Sequence, residues 1–171
     1  MKRGKVLWQV GALAILLTGC AGYNLGPAGG QTSGSRTVQV DPFVNKTLVP
    51  RLSDYVMNSL RKNLSQDGAY RLDTHGDGDV VLSGEITAYT RTPISVQSTD
   101  VLTAVDYEIT MTAQITARER ATGKIIFQKP VTGKTTLRAG ADLNSAERES
   151  IPMLTDDLAR KATSLLVDGT W

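Results

Sequence analysis

The segment from Val101 to Ala117 alternates between apolar and polar residues along most of its length. Its odd positions carry Val101, Thr103, Val105, Tyr107, Ile109, Met111, Ala113, Ile115 and Ala117. Its even positions include Asp106, Glu108, Thr110, Thr112, Gln114 and Thr116. Because successive side chains of a β-strand point to opposite faces, this alternation predicts a long strand with one apolar and one threonine-rich face. An apolar face of this length must pack against a second layer of structure.

Three shorter segments predict the rest of a sheet. Thr37–Phe43 alternates in the same way, and Val80–Ala88 places apolar residues on one face. A turn at Ala121–Lys124 then leads into the apolar run Ile125–Gln128, which we expect to return antiparallel to the long strand. The sequence therefore predicts four strands.

Two segments predict amphipathic helices. The first begins at Pro50, ends at Gly68 and carries an apolar stripe of Leu52, Val56, Leu60 and Leu64. The second covers Ser145–Val167 and also has one apolar side, with Pro152 expected in its first turn. Each stripe needs an apolar partner, and the sheet offers one.

These elements predict an α+β fold in which two helices pack on one face of a four-stranded mixed, mostly antiparallel sheet. The first strand–helix–strand unit should make a crossover with parallel pairing, and the remaining strands should pair antiparallel. The result is a two-layer sandwich whose threonine-rich face remains uncovered. We expect a single domain over residues 37–171.

The segment Asp73–Asp79 carries alternating acidic residues and the lone histidine, His75. It is similar to the opening of a calcium loop, but the twelfth position, which needs a bidentate Glu, is Gly84. Flanking helices are also missing, because a strand begins at Val80. The alternative is a Gly/Asp turn with an exposed histidine, and the pattern favours it.

The N-terminus predicts that the protein is exported and attached to a membrane. Lys2, Arg3 and Lys5 precede an apolar run of about a dozen residues, which is too short to span a bilayer and is typical of a secretory signal. Leu17-Thr18-Gly19-Cys20 closes it and resembles the lipobox of bacterial lipoproteins, which implies cleavage before Cys20 and acylation of that residue. The alternative is an ordinary secretory signal with a chance cysteine.

The lipobox interpretation divides the chain into a signal peptide over residues 1–19, an acylated cysteine with a Gly/Ser-rich tether over 20–36, and the domain over 37–171. The chain has 19 Lys plus Arg against 17 Asp plus Glu, and three of the cations lie in the leader, which leaves 16 against 17. That balance does not fit a nucleic-acid binder. Serine-triad, zinc-protease and phosphate-loop motifs are missing as well, so we expect neither an enzyme nor a cofactor.

Several motifs together are similar to the LptE family of lipopolysaccharide-assembly lipoproteins. They are the lipobox, Gly22-Tyr23-Asn24-Leu25, the run Val38 to Thr47, the run Asp79 to Ile86, Ala104 to Ile109, and the closing helix with Asp157-Leu158-Ala159-Arg160. The resemblance implies a non-catalytic outer-membrane lipoprotein that plugs a large β-barrel translocon of the LptD type. It also implies help in assembling that barrel and binding of lipopolysaccharide. On this basis we expect Thr110, Thr112 and Thr116 to face the partner.

Cations are the candidates for contact with lipid phosphates. No basic residue precedes the long strand at Asp100–Thr103, where some family members carry one. The candidates that remain are Arg91, expected in a strand-end loop, and Lys129, Lys134 and Arg138 on the last strand and its extension. The alternative is that all four are ordinary solvated surface residues.

The sequence is also compatible with a second class of function. Small strand–helix domains on lipid tethers also serve as pilots or accessory subunits of other envelope complexes, such as secretins or flagellar and polysaccharide export systems. Fold alone does not decide between these functions.

Overall fold

The computed structural model describes residues 35–97, 100–139 and 142–169, with the backbone alone at 100–103. The expected signal peptide, Cys20 and nearly all of the expected tether lie outside the described residues. The strands are β1 (Thr37–Val40), β2 (Val44–Asn45), β3 (Arg71–Asp73), β4 (Val80–Gln97), β5 (Asp100–Glu119) and β6 (Ile125–Arg138). The helices are α1 (Leu52–Asp67), between β2 and β3, and α2 (Leu143–Asp168), after β6.

The strands form one mixed sheet in the order β3-β1-β4-β5-β6, and β2 pairs with β4 beside this path. β1 runs parallel to both β3 and β4, as the crossover predicted, and β2 also runs parallel to β4. The long strands β4, β5 and β6 pair antiparallel. The α+β class with two helices and a mixed sheet is confirmed.

The expected number of strands was wrong, because the described residues form six strands and not four. β2 and β3 have two and three residues, which is too short to show a period of two. β4 continues to Gln97 and β6 to Arg138, well beyond the segments that the apolar pattern marked. In β6 the pattern is broken by Pro130 and Gly133, although both residues lie within the strand.

The core confirms the alternation along β5. Ile109, Met111, Ala113, Ile115 and Ala117 have no exposed surface, whereas the residues between them are partly exposed. The stripe of α1 is equally buried at Leu52, Val56, Leu60 and Leu64. Burial of each large aliphatic side chain stabilises the fold by about 1.5–3 kcal/mol. The two helices therefore cover one face of the sheet and leave the other open.

The ends of the helices follow local chemistry. Gly68 ends α1 in the left-handed conformation (φ 75°), with its N–H bonded to the carbonyl oxygen of Leu64 at 3.3 Å. α2 begins earlier than expected, because the Asp142 side chain caps it by accepting from the N–H of Asn144 at 3.0 Å. Pro152 therefore lies inside α2 and not in its first turn. Among the described helices, neither is long and apolar enough to cross a bilayer.

Candidate functional site on the open sheet face

The threonine-rich face lies at the centre of the three long strands. Thr110 is opposite Thr90 on β4 and Lys134 on β6, and Thr112 is opposite Thr132 on β6. The hydroxyl oxygens of Thr112 and Thr132 lie 3.1 Å apart and share a hydrogen bond. Because residues directly opposite in a sheet share a face, these side chains form one surface rich in hydroxyl groups.

This open face extends along the middle of β5. Thr116 lies on the same face as Thr110 and Thr112, opposite Ser83 on β4 and Gln128 on β6. The three threonines are half-buried by their neighbours. The structure thus brings together the three residues that were expected to face a partner, on the side of the sheet away from the helices.

Two of the four candidate cations lie on this open face. Lys134 Nζ is 3.2 Å from Glu108 Oε1, and Arg138 Nε is 2.9 Å from Asp106 Oδ1. The Ser95 hydroxyl also donates to Asp106, at 2.6 Å. These hydrogen bonds from Arg138 and Ser95 lower the pKa of Asp106, and Asp106 in turn raises the pKa of Arg138. Both cations therefore have a carboxylate partner on β5.

Arg91 and Lys129 lie on the other face of the sheet. The register places Arg91 opposite the buried Ile109 and Lys129 opposite the buried Ile115. The expectation of a strand-end loop at Arg91 was wrong, since the residue lies within β4. The strand continues through Thr- and Pro-containing sequence in which the apolar pattern fades.

Arg91 is held by the start of α2. Its Nη1 is 2.5 Å from Glu147 Oε2, and its guanidinium lies 5.7 Å from the centre of the Tyr107 ring. The Tyr89 hydroxyl donates to the other carboxylate oxygen of Glu147 at 2.7 Å. Burial, followed by the hydrogen bond to Glu147, raises the pKa of Tyr89. This cluster ties β4 to α2, so the four candidate cations do not form a single site.

Sequence reasoning missed the carboxylates that pair with the cations. Asp106 and Glu108 stood out only as polar positions of the long strand, and Glu147 lay within the predicted second helix without being singled out. The signal lay in the register of β5 and β6, because Asp106 is directly opposite Arg138, and Glu108 is a diagonal neighbour of Lys134, which is opposite Thr110. Register across a hairpin depends on the turn and on bulges, and the pairing of β5 with β6 shifts at Ala117/Arg118, next to the turn.

The Asp73–Asp79 segment is a tightly bonded turn. Asp73 Oδ2 accepts from the N–H groups of Gly76 and Asp77, each at 2.8 Å. Those backbone bonds, led by the one from Asp77, lower the pKa of Asp73. The segment joins β3 to β4, and the side chain of His75 is 87% exposed. Backbone N–H groups thus already use Asp73 Oδ2, one of the oxygens that a calcium ion would need.

Comparison with known proteins gives a family and several solved structures. The model of the LptE family, described as lipopolysaccharide-assembly, matches residues 35–168. A minor lipoprotein from Acinetobacter baumannii is 15% identical, with a TM-score of 0.52 over 77% of this chain and 92% of that one. The protein CT253 from Chlamydia trachomatis is 12% identical, with a TM-score of 0.56 over 77% and 95%.

A third structure, the PelC dodecamer from Paraburkholderia phytofirmans, is 18% identical, with a TM-score of 0.52 over 81% of this chain and 92% of that one. At these identities the likeness concerns the fold alone. No match was found among curated protein sequences.

Proposed function

The chain belongs to the LptE family of lipopolysaccharide-assembly proteins, and from this premise we propose that it occupies and helps assemble an outer-membrane β-barrel that passes lipopolysaccharide to the cell surface. The family is one of non-catalytic accessory lipoproteins associated with the outer membrane. The partner would be a large barrel of the LptD type, with lipopolysaccharide as the transported ligand.

The open threonine-rich face is the observation that carries this proposal. Burial of an unpaired charge in an interface is expensive, whereas hydroxyl groups can bond to a partner or to trapped water. On this face Lys134 and Arg138 are already paired with Glu108 and Asp106. The face can therefore lie against a wet, polar wall of another protein without leaving these charges uncompensated.

The same geometry reduces the candidates for contact with lipid phosphate from four cations to two. Lys134 and Arg138 share the open face, where an anionic lipid has access to them. A phosphate there would compete with Glu108 and Asp106 for charge-assisted hydrogen bonds. Arg91 and Lys129 lie on the helix-covered face, and Arg91 is held there by Glu147 at the start of α2. We therefore assign the proposed lipid contact to Lys134 and Arg138.

Crosslinking from the open face tests the proposed partner. A photoreactive residue at Thr110, Thr112 or Thr116 should capture a large outer-membrane β-barrel in intact cells. The matched control is the same residue at Met153, which is 60% exposed on α2 and faces away from the sheet. Capture of a secretin would favour the alternative role as a pilot lipoprotein. If only the probe at Met153 captured the barrel, the interface would lie on the helix side of the protein and not on the open face, which would contradict the proposal.

A further inference from the structure

β6 forms one edge of the sheet. A strand at an edge presents a row of backbone N–H and C=O groups to which another chain can add a strand. This edge has 14 residues, whereas β3 at the opposite edge has only three. Of the two strands at the ends of the strand order, β6 is therefore much the longer, and its edge needs protection from unwanted pairing.

Two side chains of α2 occupy outer backbone groups of β6. Asp157 Oδ2 accepts from the backbone N–H of Lys134 at 2.9 Å, and Lys161 Nζ donates to the backbone carbonyl of Thr132 at 2.8 Å. The two side chains are also paired with each other, with Lys161 Nζ 2.7 Å from Asp157 Oδ2. These N–H and C=O groups are the ones a further strand would use. Pro130, at the same phase of the strand, has no N–H to offer.

Gly133 explains how α2 comes close enough to do this. A Cβ atom at this position would lie 2.6 Å from the carbonyl oxygen of Leu154 and 2.8 Å from Cβ of Leu158. Only glycine lets the two backbones approach to this distance.

Burial raises the pKa of the Asp157 carboxyl, but the hydrogen bonds from Lys161 and from the Lys134 N–H outweigh burial and lower the pKa overall. The carboxylate is thus charged and bonded on both sides.

We propose that Asp157 and Lys161 close the outer edge of β6 to strand addition, and that without them this edge pairs with β6 of a second copy of this chain. A second copy presents an edge of the same length, and antiparallel pairing of two identical strands forms a self-complementary interface. Repulsion between the open-face cations of the two strands is reduced, because Lys134 and Arg138 are paired with Glu108 and Asp106 within each copy. This role does not depend on lipid or on a barrel.

The test compares two double variants of the full-length protein in detergent. Asp157→Ala with Lys161→Ala removes both contacts to β6. Asp156→Ala with Arg160→Ala also removes an acid and a base one helical turn apart on α2, and no described contact of that pair involves the β6 backbone. Arg160 also lies 3.6 Å from Asp157 Oδ1, but the bond from the Lys134 N–H is to Oδ2 and is kept in this variant. Sedimentation velocity over a range of concentrations measures association, and amide exchange read by mass spectrometry measures protection of β6.

We expect the Asp157/Lys161 variant to shift from monomer to dimer as concentration rises. At low concentration its Lys134 amide should exchange about tenfold faster, because the hydrogen bond to a charged group is lost. The control should remain monomeric. If the first variant unfolds, Asp157→Ala alone should show the same local rise in exchange. A variant that stays monomeric at every concentration, or a control that associates equally, would overturn the proposal.

Discussion

At the scale of single residues, the pair of Arg138 and Asp106 sets a dependence on pH. The pKa of Asp106 is lower in the folded protein than in the unfolded chain, where it is about 3.9. A lowered carboxyl pKa stabilises the fold at pH values above the unfolded pKa. That contribution is lost as the pH falls through the folded pKa.

We therefore predict that Asp106→Asn makes the melting temperature less dependent on pH below about pH 4, since the group that must take up a proton is gone. The change at pH 7 should be small because the pair is solvent-exposed and screened. Thermal unfolding followed by circular dichroism from pH 2 to pH 7 measures this. Glu149→Gln, at an exposed position of α2, serves as the control. If the melting temperature of Asp106→Asn fell with decreasing pH as steeply as that of the unmodified protein, the prediction would be wrong.

The residue scale also shows why the site was only partly predictable. The period of two in β5 placed Thr110, Thr112 and Thr116 on one face, and the structure agrees. The same period could not tell which cations share that face, because Arg91 and Lys129 lie on strands whose apolar pattern is broken. Their faces follow from the register, which depends on contacts between strands and not on sequence within one.

At the scale of elements, a strand or helix could be predicted from the sequence when it was long enough to repeat its apolar period several times. β5 and α1 are long enough for several repeats of their period, so both were found from the sequence alone. β2 and β3 are too short to carry a period, and they form only because β4 and β1 offer backbone partners. The sequence indicated only an extension past Gln128 and did not mark it as regular strand, because Pro130 and Gly133 are poor strand residues. Both are accommodated there by the edge position and by the close approach of α2.

The close contact between β6 and α2 gives a prediction for Gly133. We expect Gly133→Ala to lower the free energy of unfolding by about 1–3 kcal/mol, since the added methyl group overlaps the backbone of α2 at Leu154. Thr136→Ala, at an exposed position of the same strand, should change stability by less than about 0.5 kcal/mol. Denaturant unfolding measures both values, and equal stability of the two variants would argue against a tight contact.

At the scale of the whole molecule, the expected lipid anchor decides where the domain works. We predict that Cys20→Ser moves the protein from the membrane fraction to the soluble fraction of disrupted cells. Several acyl chains, at about 0.8 kcal/mol per buried methylene, hold a protein stably at a membrane, and the variant has no thiol to acylate. Ser33→Ala in the expected tether is the control. Retention of Cys20→Ser on membranes to the same extent as the control would count against the anchor.

The proposed lipid contact depends on where the cations lie and not only on how many there are. Lys134 and Arg138 lie toward one end of the open face. Arg118 shares that face but lies, with Lys124, at the other end of the sheet, where β5 turns into β6. Replacing either pair by Gln removes two positive charges, so non-specific attraction to an anionic lipid should fall equally in both variants.

We predict that Lys134→Gln with Arg138→Gln weakens lipopolysaccharide binding by about tenfold or more, because charge-assisted hydrogen bonds to phosphate are lost. Arg118→Gln with Lys124→Gln should bind nearly as the unmodified protein does. Titration of purified lipopolysaccharide at two salt concentrations separates the local contacts from the general field, which salt screens. Equal losses in the two variants would mean that Lys134 and Arg138 form no local phosphate site. Undiminished affinity in both variants would mean that lipopolysaccharide binds to groups other than these cations.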